Sequence, residues 1–216
     1  MINDVLKVST DSGMEMKVIS VSNIMEGSSY PGLRMKIMSN LGQMHDRFKI
    51  DVITGDSIVP EPEKYQYPRM FGSKYDKSTL EIYTYPQEQV LAEKLQTILD
   101  RGAASTRSRD YYDVYALQKY DEQLISYTSL NRSYKNIMKV RGTDTNRKQR
   151  NQELDKIEHN PEQIKSWDAY SNKYEYTKGL KFSDVMGAVK IIFNNMNLNE
   201  LERQRELKRK QNLKLE

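Results

Sequence analysis

Between residues 86 and 117 the chain reads PQEQVLAEKLQTILDRGAASTRSRDYYDVYAL, and charged side chains stand there where packing alone would not put them. Val90, Leu91, Leu95, Ile98 and Leu99 recur at helical spacing and define one apolar arc. At about 100° per residue, Lys94 falls inside that arc, between Val90 and Ile98. A lysine that faces water needs no explanation, but one set into a buried stripe does. Downstream, Asp110, Asp113, Val114 and Leu117 share one helical face, so two carboxylates point where two aliphatic side chains point. Arg107 and Arg109 stand beside them. A lysine and a carboxylate aimed from adjacent helices toward one place make either a site for phosphate and metal or a buried ion pair that holds two helices in register. The spacing leaves both open.

Two further sets of residues carry chemistry. In FKIDVI (48–53), Phe48, Ile50 and Val52 form one strand face, while Lys49, Asp51 and Ile53 form the other. Asp51 therefore opposes the apolar row, and such a carboxylate is ordinary if exposed and costly if buried. Between residues 132 and 150, Arg132, Lys135, Lys139, Arg141, Arg147, Lys148 and Arg150 face a single acid, Asp144. Such a cluster neutralises backbone phosphates in a salt-dependent way, or else forms a solvated basic loop. His45 and His159 lack a second histidine at ligand spacing, and no glycine–lysine phosphate loop is present.

Composition bounds the rest. A length of 216 residues fits one good-sized domain, or a core with a helical appendage. With 37% hydrophobic and 30% charged residues, a core coexists with long solvated helices. The absence of cysteine excludes disulfides, zinc–thiolate sites and cysteine nucleophiles. No apolar run approaches the ~20 residues of a membrane span, and MINDVLKVST lacks the basic start and apolar core of a signal peptide. The expectation is a cytoplasmic protein with no membrane partner. A net charge of +4 favours a nucleotide or RNA partner only slightly.

The elements that must position these groups follow in order. Residues 14–24 alternate as a strand, with Met14, Met16, Val18 and Val21 on one face, and 26–29 make a turn. In residues 33–38, Leu33, Met35 and Ile37 oppose Arg34, Lys36 and Met38; the 48–53 strand comes next. Residues 55–71, with three prolines, read as a long connection whose Tyr65, Tyr67, Met70 and Phe71 pack on the sheet edge. Leu80, Ile82 and Thr84 mark a short fourth strand, and Pro86 opens the first helix. Helices follow over 118–140, 147–158 and 161–174, with Ile164, Trp167, Ala169 and Tyr170 as the buried set of the last. Ser183 can cap a helix through Met196, and 198–215 is a charged terminal helix. The fold class is α+β: a small mixed β-sheet over residues 1–85, then a helical region over 86–216 in which 86–120 carry the site and 121–216 form a helical bundle.

Ala92-Glu93-Lys94-Leu95, followed by Arg107-Ser108-Arg109-Asp110-Tyr111-Tyr112-Asp113, resembles the AbiEii/AbiGii toxins, nucleotidyltransferase-fold proteins of abortive-infection and toxin–antitoxin systems. The strand 48–53 with Asp51, and Tyr30-Pro31-Gly32-Leu33-Arg34 entering a strand, are similar to that family as well; the likeness covers about residues 14–120. It implies a partial nucleotidyltransferase core, transfer of a nucleotide from a nucleoside triphosphate to an RNA acceptor (transfer RNA above all), Mg2+, and a cognate antitoxin. By motif position, Asp51 binds metal, Lys94 contacts phosphates, and Asp110 orients Lys94 or shares in acid–base work. Arg107 and Arg109 add phosphate contacts, Asp113 is structural, and Arg141, Arg147, Lys148 and Arg150 offer an RNA surface. The family's first motif, a Gly-Gly or Gly-Ser turn followed by Asp-x-Asp/Glu, has no counterpart before Asp51, since Asp4, Asp11 and Glu15 lack the spacing. Three readings follow: a nucleotidyltransferase toxin that needs the missing motif supplied, a non-catalytic RNA- or protein-binding module, and a helical protein whose Lys94–Asp110 pair is a salt bridge.

Overall fold

The computed structural model describes residues 13–24, 31–55, 57–68, 79–143 and 146–212, with Asp4 and Leu6. The turn at 26–29, Tyr30, Asp11, Met70, Phe71 and Asp144 lie outside the described residues. The chain divides into two compact units, Met1–Ser57 and Ile58–Glu216.

The first unit is a three-stranded antiparallel sheet in the order β1 (Glu15–Ile24), β2 (Gly32–Leu41), β3 (Met44–Ile53). Cross-strand pairing places Val18 and Phe48 beside Ile37, and Val21 and Ile50 beside Met35, on one face. The odd spacing from Val18 to Val21 has a physical cause: the register slips between Val18 and Ser20, so a bulge at Ile19 restores Val21 to the apolar side. A two-residue turn joins β2 to β3, and Gly42 takes φ 59° there, a conformation open to glycine.

The second unit begins with a separate two-stranded sheet, β4 (Glu63–Pro68) and β5 (Thr79–Thr84). The segment expected to be a connection is thus a strand over 63–68, where Tyr65 and Tyr67 alternate with Lys64 and Gln66 and the prolines fall at the ends or outside it. The described pairings are all antiparallel, so the mixed sheet resolves into two small antiparallel ones within the expected α+β class.

Among the described residues six α-helices follow: α1 (Gln87–Arg101), α2 (Ser108–Asp121), α3 (Tyr127–Arg141), α4 (Arg147–Glu158), α5 (Pro161–Lys173) and α6 (Phe182–Asn212). The helix expected over 118–140 is broken, because Ser126 caps α3 by accepting from the Ser129 N–H. The C-terminal helix runs unbroken from Phe182, and Asp184 rather than Ser183 closes its start, accepting from the Lys181 N–H at 2.8 Å. The core gathers Leu91, Leu95 and Ile98 of α1, Tyr111 and Val114 of α2, Leu130 and Ile137 of α3, Leu154 and Ile157 of α4, and Val185, Val189 and Ile192 of α6. Trp167 of α5 is fully buried and donates from Nε1 to the Leu180 carbonyl at 3.0 Å, so it is a core residue. Ile164, by contrast, is exposed, and Gln163 takes the inward position.

Candidate functional site

The α1–α2 corner is built to hold its charges still. α1 ends at Gly102, whose φ of 50° reverses the chain, and a short helical turn leads to α2. Gln163 of α5, itself buried, donates from Nε2 to the carbonyls of Ala103 at 2.8 Å and Ser105 at 2.6 Å. The Ser108 and Ser166 hydroxyls bond at 3.1 Å and tie the start of α2 to α5. Within AEKL, Ala92 and Leu95 are core residues, and Glu93 accepts from Gln89 at 2.8 Å one turn earlier. Gln89 in turn accepts from the Val59 N–H and pins the segment before β4.

On this frame Lys94 meets both carboxylates of α2. Its Nζ lies 2.6 Å from Asp113 Oδ2 and 3.3 Å from Asp110 Oδ1. The side chains retain 22% exposure at Lys94, 15% at Asp110 and 24% at Asp113, so the cluster is mostly, but not fully, withdrawn from water. Asp113, expected to be structural, makes the shorter contact, and nothing in its i, i+3 relation to Asp110 signals which of the two lies nearer Lys94. Arg107 stands 3.7 Å from Asp110, and Arg109 stands 3.8 Å from Asp113, both reaching in from water. Asp110 Oδ2 is buried and, among the described residues, has no hydrogen-bond partner. Beside it a pocket of about 290 Å³ is lined by Thr106, Arg107, Ser108, Arg109, Asp110, Ser166 and Tyr170. Three cations thus face two carboxylates, and three of these five groups, Arg107, Arg109 and Asp110, line the pocket, an arrangement suited to an anion with several oxygens.

Asp51 lies in the other unit. It is the cross-strand partner of Arg34, whose Nε and terminal nitrogen donate to the two carboxylate oxygens at 2.7 Å each. That hydrogen bonding holds the Asp51 carboxyl below the usual carboxylate range, against a small opposing effect of burial. As placed, these carboxylates do not fit a Mg2+ centre. A hard cation takes several oxygens, yet both Asp51 oxygens lie in an arginine fork and Asp113 Oδ2 is held by Lys94. Elsewhere Asp155, Glu158 and His159 cluster on α4, but Glu158 is paired with Lys190, and His159 Nδ1 lies 2.8 Å from the Asp155 carbonyl.

The basic residues separate. Arg147 and Lys148 project into water from the first turn of α4, while Arg141 bonds Gln96 of α1. Arg150 turns inward: its guanidinium lies 4.6 Å from the Phe193 ring and donates to Asn197 at 2.8 Å, and burial pushes its pKa down. It shares a stripe with Leu154 and Ile157, the spacing of a helix's inner face.

The sequence model of the AbiEii nucleotidyltransferase toxins of type IV toxin–antitoxin systems matches residues 2–188. This chain belongs to the AbiEii toxin family. No curated protein and no solved structure matches it. AbiEii membership makes the chain a toxin-type component of a toxin–antitoxin system, with an antitoxin as partner and a nucleoside triphosphate as the nucleotide source. Nucleotidyltransferases generally work with a divalent metal. Among the described residues of this AbiEii chain, no helix is long and apolar enough to cross a membrane.

Proposed function

We propose that this chain transfers a nucleotide from a nucleoside triphosphate to the end of an RNA acceptor, with transfer RNA as the acceptor class, and that it acts in the cytoplasm as an abortive-infection toxin against phage. The observation that carries the reading is Lys94, held between Asp110 and Asp113, with Asp110 also lining a pocket together with Arg107 and Arg109. An ammonium has three donors, and two of them are directed to the aspartates. The third is available to a triphosphate oxygen, and Arg107 and Arg109 supply further charge for phosphate. Asp110 and Asp113 fix the Lys94 head group, so the transferring phosphoryl group meets a charge already in position. Mg2+ is the metal this reading carries, brought in on the triphosphate. By motif position Asp51 is the carboxylate assigned to the metal, while in this structure Arg34 holds both its oxygens. Arg141, Arg147 and Lys148 contribute to holding the RNA backbone.

The test is transfer of label from each radiolabelled nucleoside triphosphate to total transfer RNA with Mg2+, for the wild type and for Lys94→Ala and Asp51→Ala. Transfer abolished by both substitutions supports the reading.

A second reading is favoured by the Arg34 fork around Asp51: a binding module that holds RNA or a cognate protein without catalysis. In that case no label is transferred, and RNA binding survives Lys94→Ala but falls when Arg141, Arg147 and Lys148 are neutralised.

A further inference from the structure

The chain has 15 tyrosines against 4 phenylalanines and one tryptophan, a bias toward rings that work at a wet surface. One of them, Tyr170, lines the pocket of Arg107 and Arg109, and others gather on it in turn. Tyr170, which lines that pocket, lies 4.8 Å from Tyr174, and Tyr174 lies 5.4 Å from Tyr176 in a stacked pair. Tyr176 continues to Tyr112 of α2 at 4.7 Å. Trp167 and Phe182, whose rings are 6.3 Å apart, belong to the core, and Tyr174 and Tyr176 lie outside it. Tyr176 is 53% exposed. The Tyr170 and Tyr176 hydroxyls bond each other at 2.8 Å, which satisfies the polar tips, and the exposed side of Tyr176 is the part of the cluster open to a ligand. Lys173 adds a cation 5.2 Å from the Tyr174 ring.

We propose that Tyr170, Tyr174 and Tyr176 form a stacking platform for the unpaired bases at a nucleic-acid end, with the adjoining phosphates drawn to Arg107 and Arg109. Aromatic rings stack on any base, while arginines at one edge take the backbone, so such a surface accepts single strands with little regard to sequence. A base-paired end is poorly received, because its bases are already stacked within the helix. The surface rests on the acceptor named above and gives it a chemistry: a single-stranded end rather than a blunt duplex.

The experiment is equilibrium binding, without nucleoside triphosphate, of a short single-stranded RNA carrying 2-aminopurine at its 3′ end and of a blunt RNA hairpin. The proteins are the wild type, Tyr176→Leu, Tyr176→Phe and Tyr174→Leu, with Trp167 fluorescence confirming that each is folded. The expected result is quenching of 2-aminopurine by the wild type and by Tyr176→Phe. Tyr176→Leu and Tyr174→Leu lose the quenching and bind the single strand at least about fivefold more weakly. Equal affinity of wild type and folded leucine variants, or equal affinity for strand and hairpin, overturns the proposal. The two conclusions fail separately: loss of label transfer with the quenching intact removes the catalytic reading alone, and transfer without quenching removes the platform alone.

Discussion

Replacing Lys94 with alanine takes away a cation within 3.5 Å of both Asp110 and Asp113 and leaves two neighbouring carboxylates without it. The size of the effect follows from burial. Truncating one partner of a fully buried pair costs about 3–5 kcal/mol, whereas an exposed pair is worth at most about 1 kcal/mol. The three side chains keep 15–24% of their exposure, nearer the buried limit, while Arg107 and Arg109, 3.7 and 3.8 Å from the carboxylates, supply part of the missing charge. We expect Lys94→Ala to destabilise the second unit by about 2–3 kcal/mol. Adding Asp113→Asn should restore about 1 kcal/mol, because the repulsion goes with the charge. Urea unfolding followed by Trp167 fluorescence reads this unit, since the sole tryptophan sits in its core. The midpoint should fall with the slope unchanged. A loss under about 0.5 kcal/mol, or strictly additive effects of the two substitutions, would refute the coupled cluster.

Other perturbations reach other parts of the frame. Gly102→Ala places a Cβ 2.5 Å from Glu153 Oε1 at a φ of 50°, and should lower the stability of the second unit by about 1–3 kcal/mol in the same unfolding assay. Burial raises the pKa of Tyr111 in the folded state, so the stability it contributes is fully present below its unfolded pKa of about 10 and is lost as pH rises through the folded value. Unfolding free energies should therefore fall by up to about 1.4 kcal/mol per pH unit from this group above pH ~10, and Tyr111→Phe should flatten that limb. Arg150→Ala should destabilise by about 2–3 kcal/mol, through loss of the Phe193 and Asn197 contacts. Arg147→Ala and Lys148→Ala should leave stability within about 0.5 kcal/mol and reduce the salt slope of RNA binding by about 1 each, as read by titrations at several salt concentrations.

The Lys94–Asp110 meeting was legible because helical periodicity fixes direction: a lysine within one apolar arc and a carboxylate within the next must approach when those arcs pack. The partner of Asp51 was half legible. Alternation puts Arg34 and Asp51 on faces opposite their apolar rows, but their pairing depends on the strand register, which the turn at Gly42 sets. The phase change from Val18 to Val21 was visible as irregular alternation and becomes intelligible as a bulge. β4 is masked in the sequence by the prolines around it, which outweigh the strand signal of the alternating Tyr65 and Tyr67. Arg150 belongs to a basic run by charge, but its spacing to Leu154 and Ile157 marks an inner face, and periodicity rather than charge decides its place. Gln163 carried no such signal. Its burial reflects bare carbonyls at the α1–α2 corner, a demand created only by the tertiary fold.

The central claim is that Lys94, anchored by Asp110 and Asp113, acts on the phosphates of a nucleoside triphosphate. Its most direct test is label transfer to total transfer RNA by the wild type and by Lys94→Ala, with folding of the variant confirmed through Trp167 at the assay temperature. The account predicts transfer by the wild type and at least about a hundredfold loss in the folded variant, the scale of removing one preorganised charge from a transfer site. Undiminished transfer by a folded Lys94→Ala protein would contradict it and leave the cluster a salt bridge that holds two helices together.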